Sequence, residues 1–280
     1  MRRQIDQQRI RQLLAGSYQY YSKDDCSYET IGPLTPDTED LLSRALKASM
    51  SVLDVGCGDG RTLLRHASAF RCGVGIDECA DEIEAAKMAC TAHGVSNLRF
   101  TQCFINYKAR NGDNHNALPF ESESFDLVLC ERGPLAYCDN PLSEAMRVLK
   151  PGGLLFVETL GERNLMEVRA AFEPEFRRPE TYLSSLEAER IRFERHGVRI
   201  STLTSMVLTL RFPDIYEWLE YQCSVWAYLG KALPSGDDMQ PFGRLLALAA
   251  DDFGGVSITY HPIWLSGTKP LPSTVAGEAV

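Results

Sequence analysis

The chain has 280 residues and a mass of 31.3 kDa, with 44% hydrophobic and 24% charged residues, a globular composition with room for one large core or two small ones. Its formal net charge of -9 and pI near 5.2 oppose the electrostatics of a protein that wraps nucleic acid, which is usually basic on at least one face. No apolar run approaches the ~20 residues of a membrane span, and "MRRQIDQQRIRQLL" lacks the apolar centre of a signal peptide, so a soluble, cytoplasmic protein is expected.

Ile5, Ile10, Leu13 and Leu14 suit an amphipathic helix at the N-terminus, and "TPDTEDLL" begins another with Thr35 or Asp37 as its cap. "MSVLDV" is a short buried strand, "RTLLRHASAF" a helix and "CGVGID" the next strand. "DEIEAAKMACTAHG" is helical, with Ile83, Ala86 and Cys90 on one face, acids in its first turn and Gly94 as its stop. "NLRFTQ" and "SFDLVLC" are strands, "PLSEAMRVLKPGG" is a helix ending at Pro-Gly-Gly, and "LLFVET" is a strand. Helices follow around "NLMEVRAAF" and "YLSSLEAERIRFERHG". "VRISTLTSMVLTLRF" reads as one strand, and "VSITYHPIWLSGTKP" as the last. Residues 213–255 interrupt these two with helical, aromatic-rich sequence, and the small, polar residues 270–280 read as a flexible tail. Strands alternating with helices imply a doubly wound α/β fold around a mostly parallel sheet.

The nine cysteines form no C-x-x-C pair and the histidines are scattered, so free thiols are expected and neither a metal site nor a disulfide framework. The chemistry concentrates in "VLDVGCGDG", residues 52–60. In an open α/β sheet, ligands sit beyond the strand ends where strand order reverses, and glycines there allow a tight turn and close approach. The dinucleotide fingerprint G-x-G-x-x-G requires a glycine at position 61, where Arg61 stands, and no G-x-x-x-x-G-K-[ST] occurs. Asp54, just before the glycines, would repel a diphosphate and suits a ligand with an amino group. Asp77, at the end of the second strand, is placed to accept hydrogen bonds from ribose hydroxyls. Together these describe a nucleoside with an amino-acid end.

At these residues the chain resembles the class I S-adenosylmethionine-dependent methyltransferases of the broad type 11 group. "VLDVGCGDG", "GIDEC", "LPFESESFDLVLC" and "AMRVLKPGGLLFVET" match four of that family's motifs in order, over about residues 50–160. The resemblance implies a Rossmann-like methyltransferase fold with a seven-stranded sheet, an N-terminal helical lid over residues 1–48, a methyltransferase domain over 49–269 and the 213–255 insertion as a substrate cap. It implies S-adenosyl-L-methionine as cofactor. Asp54, Gly56, Cys57 and Gly58 would meet its methionine portion, Asp77 its ribose and Glu78 its adenine, while Cys130, Glu131 and Arg132 would border the methyl group and acceptor. Tyr21, Tyr216 and Trp218 are the aromatic candidates for acceptor binding. Where the family places an acid for the adenine amino group, this chain has Phe104 and Ile105; either Asp113 replaces that acid or backbone groups near Ile105 hold the base. Glu131 and His115 are the candidate general bases. A small-molecule acceptor is the reading by elimination, because no N-P-P-[YF] stands at "CERGPL" and the acidic balance disfavours a large RNA. The alternatives are an RNA or protein methyltransferase, approached past Arg177, Arg178, Arg190, Arg192 and Arg195, or a catalytically silent cofactor-binding protein whose turn is blocked by Phe104.

Overall fold

The computed structural model describes residues 5–16, 27–32, 38–104, 117–172, 183–228 and 233–272. The chain opens with α1 (Gln7–Leu14), whose first turn is capped by the Asp6 carboxylate accepting from the Gln8 and Arg9 amides. The short strand β1 (Glu29–Ile31) and α2 (Thr38–Ala45) follow. Then comes the alternation read from the sequence: β2 (Ser51–Val55), α3 (Arg61–Arg65), β3 (Cys72–Asp77), α4 (Ala80–His93), β4 (Leu98–Gln102) and β5 (Phe125–Glu131). Gly94 ends α4 with φ of 65°, and the Val95 amide donates back to the Cys90 carbonyl at 2.9 Å, which satisfies a carbonyl at the helix end. After the separate turn α5 (Pro134–Tyr137) and the extended Cys138, "PLSEAMRV" lies within one helix, α6 (Asp139–Val148); α6 ends at Val148, so "LKPGG" opens the next strand rather than closing the helix. Next are β6 (Leu149–Leu160), α7 (Met166–Phe172) and α8 (Leu186–Arg195), the last capped by the Ser185 hydroxyl accepting from the Ala188 amide. The chain closes with β7 (Arg199–Ser205), β8 (Leu208–Phe212), α9 (Ile215–Tyr228), α10 (Gln240–Ala249), β9 (Val256–Tyr260) and β10 (Pro262–Thr268).

Two runs read as single strands each divide in two. "VRISTLTSMVLTLRF" gives β7 and β8, and "VSITYHPIWLSGTKP" gives β9 and β10, with β7 and β10 in one sheet and β8 and β9 in another. The second break has a local cause. The His261 amide donates to the Asn164 side chain instead of a strand, and Pro262 has no amide to donate. The first break leaves no comparable mark, because β-branched residues run across it.

The chain accordingly forms two compact units. The larger comprises residues 35–162, 181–206 and 262–280. Its sheet has the strand order β4-β3-β2-β5-β6-β10-β7, with β10 antiparallel to both neighbours and the first five strands parallel. Every position of β2 is buried, as expected of a central strand covered on both faces. Alternate residues divide between two cores: Leu53, Val55, Val128 and Cys130 pack with Leu135, Leu142 and Ala145, while Val52, Leu127 and Leu129 pack with Leu42, Leu63, Ile83 and Phe100. The chain runs outward from β2 through β3 to β4 and then returns to β5 on the other side of β2, so strand order reverses at the C-terminal end of β2.

The smaller unit gathers residues 1–34, 163–180 and 207–261, so the insertion read over 213–255 falls in it together with α7, whereas the segment read as a lid over 1–48 is divided, its part from residue 35 on, with α2, belonging to the larger unit. Its three-stranded antiparallel sheet has the order β1-β8-β9. The outer edge of β9 is covered rather than open: the Glu167 carboxylate accepts from the Thr259 amide at 2.9 Å, and the Leu165 amide donates to the Thr259 carbonyl at 2.8 Å. Its core is aromatic, with Phe172 lying 5.7 Å from Trp226 and 5.2 Å from Phe242, both edge-on, and 6.0 Å from Trp218. Among the described residues, no helix is long and apolar enough to cross a membrane. Phe172→Ala should cost about 3–5 kcal/mol of stability, measured by urea denaturation followed through tryptophan fluorescence. A loss below ~1 kcal/mol would show that this ring is not the centre of the core.

Candidate functional site

Beyond β2 the chain turns through Gly56, Cys57, Gly58, Asp59 and Gly60 into α3. Gly56, Gly58 and Gly60 all have positive φ, at 81°, 52° and 73°, a region that a Cβ disfavours. Their surroundings differ. A Cβ on Gly56 would stand 2.8 Å from Pro134 Cδ, and one on Gly60 2.4 Å from the Phe100 ring, so these two glycines serve packing. A Cβ on Gly58 would find its nearest neighbour, Glu82 Oε2, at 3.9 Å. Gly58 is therefore where the backbone lies open to a ligand.

The Gly58 amide donates to Asp77 Oδ2 at 2.9 Å, and the Cys79 amide to Asp77 Oδ1 at 2.9 Å. These bonds fix the buried carboxylate at the end of β3 and leave each oxygen a second lone pair. Asp54 is buried in β2. Burial, then the charges of Glu131 and Asp77, hold its carboxyl well above the usual carboxylate range. Glu78 is raised by burial and by Asp77, and Glu82 is pushed up to about 6 by burial, then by Asp59 and Asp77. Three neighbouring strands each deliver an acid to one place, and such a field favours a cation. The thiols beside it are packing groups: burial pushes both Cys57 and Cys130 up, Cys130 to about 12.

Glu131 closes β5 and accepts from the Thr62 hydroxyl at 3.2 Å. Arg132 has φ of 55°, a strained conformation for a residue with a side chain. Its amide donates to the Glu158 carbonyl at 2.8 Å, and its Nε lies 3.4 Å from Glu158 Oε1. Trp264 Nε1 donates to the other oxygen of the buried Glu158 at 3.1 Å. Glu158, Trp264, Thr62 and Glu82 escaped sequence reasoning. An acid inside "LLFVET" was a visible signal for Glu158, but its partner stands 106 residues later.

The structure thus brings Asp54, Gly56, Cys57, Gly58, Asp77, Glu78, Cys130, Glu131 and Arg132 to the ends of adjacent strands. Phe104 follows Cys103, whose amide donates to the Asp77 carbonyl at 2.8 Å. Its ring is 75% exposed, so it does not plug the turn. Tyr216 and Trp218 belong to the smaller unit. The Tyr216 hydroxyl accepts from the Asp6 amide, its ring lies under the Arg9 guanidinium, and Trp218 is 0% exposed within the aromatic core. Tyr21, Ile105, Asp113, His115, Arg177 and Arg178 lie outside the described residues. Arg190 is paired with Glu187 and Glu194, and Arg192 with Glu189. Among the described residues no cysteine is in a disulfide, and no cluster of His, Cys, Asp and Glu could hold a metal.

Residues 46–191 match a family model described as "Methyltransferase domain". YcgJ of Bacillus subtilis (strain 168), described as an uncharacterized methyltransferase, is 30% identical over 109 residues, 38% of this chain and 39% of its own. The ubiquinone biosynthesis O-methyltransferase of Chelativorans sp. (strain BNC1) is 33% identical over 113 residues, 40% of each chain. The malonyl-[acyl-carrier protein] O-methyltransferase of Erwinia pyrifoliae is 31% identical over 175 residues, 60% of this chain and 58% of its own. The match spans about two fifths of the length of the first two relatives. The crystal structure of YcgJ has the same fold, with a TM-score of 0.59 at 18% identity over 84% of this chain and 99% of that one.

The charge at Glu82 gives a measurable pH dependence. Its folded value of about 6 lies above the ordinary 4.5, so between these values the native chain binds more protons than the unfolded one and stability falls as pH rises. Glu82→Gln should therefore be more stable than wild type at pH 7. Because the side chain is only half-buried, the gain should stay below ~1 kcal/mol, and it should close near pH 4.5 in urea titrations. A gain that grows toward acid would contradict the assignment.

Proposed function

The chain belongs to the methyltransferase-domain family, and from that premise we propose that it is an S-adenosyl-L-methionine-dependent methyltransferase with a small-molecule acceptor. The observation that carries this reading is the open backbone at Gly58 beside three carboxylates, Asp54, Asp77 and Glu131, on neighbouring strand ends. A diphosphate is repelled there. A ribose joined to an amino-acid end that bears an ammonium and a sulfonium, with a net positive charge, suits it.

On this reading Asp77, fixed by the Gly58 and Cys79 amides, accepts the ribose hydroxyls with its remaining lone pairs. Asp54 and Glu131 offset the cationic end, and Gly56, Cys57 and Gly58 present backbone to it. Glu78, Phe104 and Ile105 flank the base. S-adenosyl-L-methionine, when bound, supplies a methyl group already activated by its sulfonium. The chain's own work is then to hold the acceptor in line and exclude water. The O-methyltransferase names of the Chelativorans and Erwinia relatives support an oxygen acceptor. For a hydroxyl, Glu131 is the proposed proton acceptor, oriented by Thr62. Arg132 borders the acceptor, whereas Trp218, enclosed in a core, is left out of the proposal. Of the arginines considered for an RNA approach, Arg190 and Arg192 lend that reading no support, since they are neutralised by glutamates. A silent protein with a blocked turn is not favoured either, because Phe104 points its ring to solvent.

Calorimetry with S-adenosylmethionine and its demethylated product tests the cofactor. Wild type should bind both, and Asp77→Ala should weaken each by about 1–3 kcal/mol. Gly58→Ala should fold with a loss near 1 kcal/mol yet bind neither compound. Failure of wild type to bind either removes the enzymatic reading. Labelled cofactor incubated with size-fractionated cell extract should then label small molecules; label confined to macromolecules would overturn the choice of acceptor.

The charge on the sulfonium adds a second prediction. Product differs from cofactor by losing that charge, so the ratio of their affinities should move toward the cofactor as the raised carboxylates ionise. Between pH 5 and pH 7, across the range to which Glu82 is raised, the ratio should rise by about tenfold, equivalent to ~1.4 kcal/mol. A ratio independent of pH would place the sulfonium away from these acids.

A further inference from the structure

One wall of the glycine turn is built by a segment whose end is held from another helix. Gly133 and Pro134 lie directly against Gly56. A Cβ on Gly133 would be 2.8 Å from both the Val55 carbonyl oxygen and Cys130 Sγ, and one on Gly56 would be 2.8 Å from Pro134 Cδ. Space at this contact is measured in tenths of an ångström. The segment continues as α5, a single turn whose bonds include Ala136 amide to Gly133 carbonyl and Cys138 amide to Pro134 carbonyl, each 3.1 Å. One turn of helix fixes more dihedral angles than its bonds repay, and its last carbonyls find no partner in the helix.

Those carbonyls are held from α8. Arg192 Nη1 donates to the Leu135 carbonyl at 3.0 Å and Nη2 to the Ala136 carbonyl at 3.1 Å. The guanidinium is itself fixed: Nε and Nη2 donate to Glu189 Oε2 at 3.2 and 2.8 Å, and its carbon stands 4.5 Å from the centre of the Phe193 ring. The Arg192 side chain is 17% exposed and that of Glu189 5%. A buried ion pair is costly unless its remaining donors are used, and here they are used on the carbonyls of α5. The planar fork suits this task, because it reaches two adjacent carbonyls at once while keeping its carboxylate. Thr159 adds a longer bond to the Ala136 carbonyl, at 3.4 Å.

We propose that Arg192 is a positioning residue for the cofactor crevice: by clamping the end of α5 it keeps Gly133 and Pro134 against Gly56, and so sets the width of the glycine turn. The inference rests on the cofactor reading given above. It makes a residue of α8, outside the glycine turn and the strand-end acids, a determinant of affinity for both cofactor and product.

The test compares Arg192→Lys, Arg192→Met and the control Arg190→Met, which removes an exposed pair on the same helix. Calorimetry with S-adenosylmethionine and its demethylated product is run well below each variant's melting temperature. Arg192→Lys keeps a charge for Glu189 but cannot span both carbonyls; it should bind both compounds about three- to tenfold more weakly, and Arg192→Met more weakly still, since small displacements around a site are costly. Arg190→Met should bind as wild type does. Amide hydrogen exchange should accelerate at Ala136 and Cys138 in the Arg192 variants and stay unchanged along β2. If Arg192→Met does not fold, Arg192→Lys alone decides. A lowered melting temperature with wild-type affinities in the folded variants would overturn the inference and leave Arg192 a structural residue. Wild type binding neither compound would remove the cofactor reading first, and this inference with it.

Discussion

Asp54 stands where a carboxylate is expensive to keep ionised. Parallel register sets it level with Gly75 on one neighbouring strand and Leu129 on the other, and the same strands end two residues later in Asp77 and Glu131. Any fold that brings these three strand ends together must accept mutual repulsion among the acids, made worse by the loss of water around Asp54. The sheet can bear this because β2 is buried at every position and held on both sides by parallel ladders. Strain of this kind at one place, sustained by stability elsewhere, is what a site for a charged ligand requires. Gly58 and Asp77 complete the arrangement, since the amide of one fixes the carboxylate of the other and the glycine itself leaves room where a side chain would stand.

The candidate site was readable in the sequence where its logic is local. Glycines at 56 and 58, an acid two residues before them and another at the end of the next strand are all set by chain order, because a parallel sheet aligns consecutive strand ends. The parts that escaped depend on partners far along the chain. Nothing near Glu158 announces Trp264, and nothing near Leu135 announces Arg192. The same distinction governs the fold. The alternation of β2 through β6 carries its own periodicity and punctuation, whereas "VRISTLTSMVLTLRF" is equally β-prone throughout. Which half joins which sheet is decided by pairing with β10 or with β1 and β9, and propensity is silent on that. Trp218 shows the opposite error: aromatic residues spaced along a helix suit a binding wall and a core alike, and here burial assigns that ring to the core.

The smaller unit is assembled from three separated stretches of chain, which no pass along the sequence would group. What unites them is an apolar set too large for any one stretch to bury: Ile10 from the first, Val168, Ala171 and Phe172 from the second, and Trp218, Trp226, Phe242 and Ile258 from the third. The covering of β9 by Glu167 and Leu165 ties the second stretch to the third by polar bonds as well. The unit therefore has its own reasons to fold, in packing and in hydrogen bonding.

The extent of the family match divides the chain's tasks. Residues 46–191 hold β2 through β6 and the start of α8, and with them the glycine turn and its acids; Arg192 follows directly after the match, and β8, β9, α9 and α10 lie beyond it. The matched part carries what relatives of different acceptors have in common, and a shared cofactor site requires just such a common part. On the proposed reading, selectivity for the acceptor belongs to what the match does not include. Residues 207–261 lie in that remainder, and their aromatic core and covered sheet edge give a rigid base on which loops can vary.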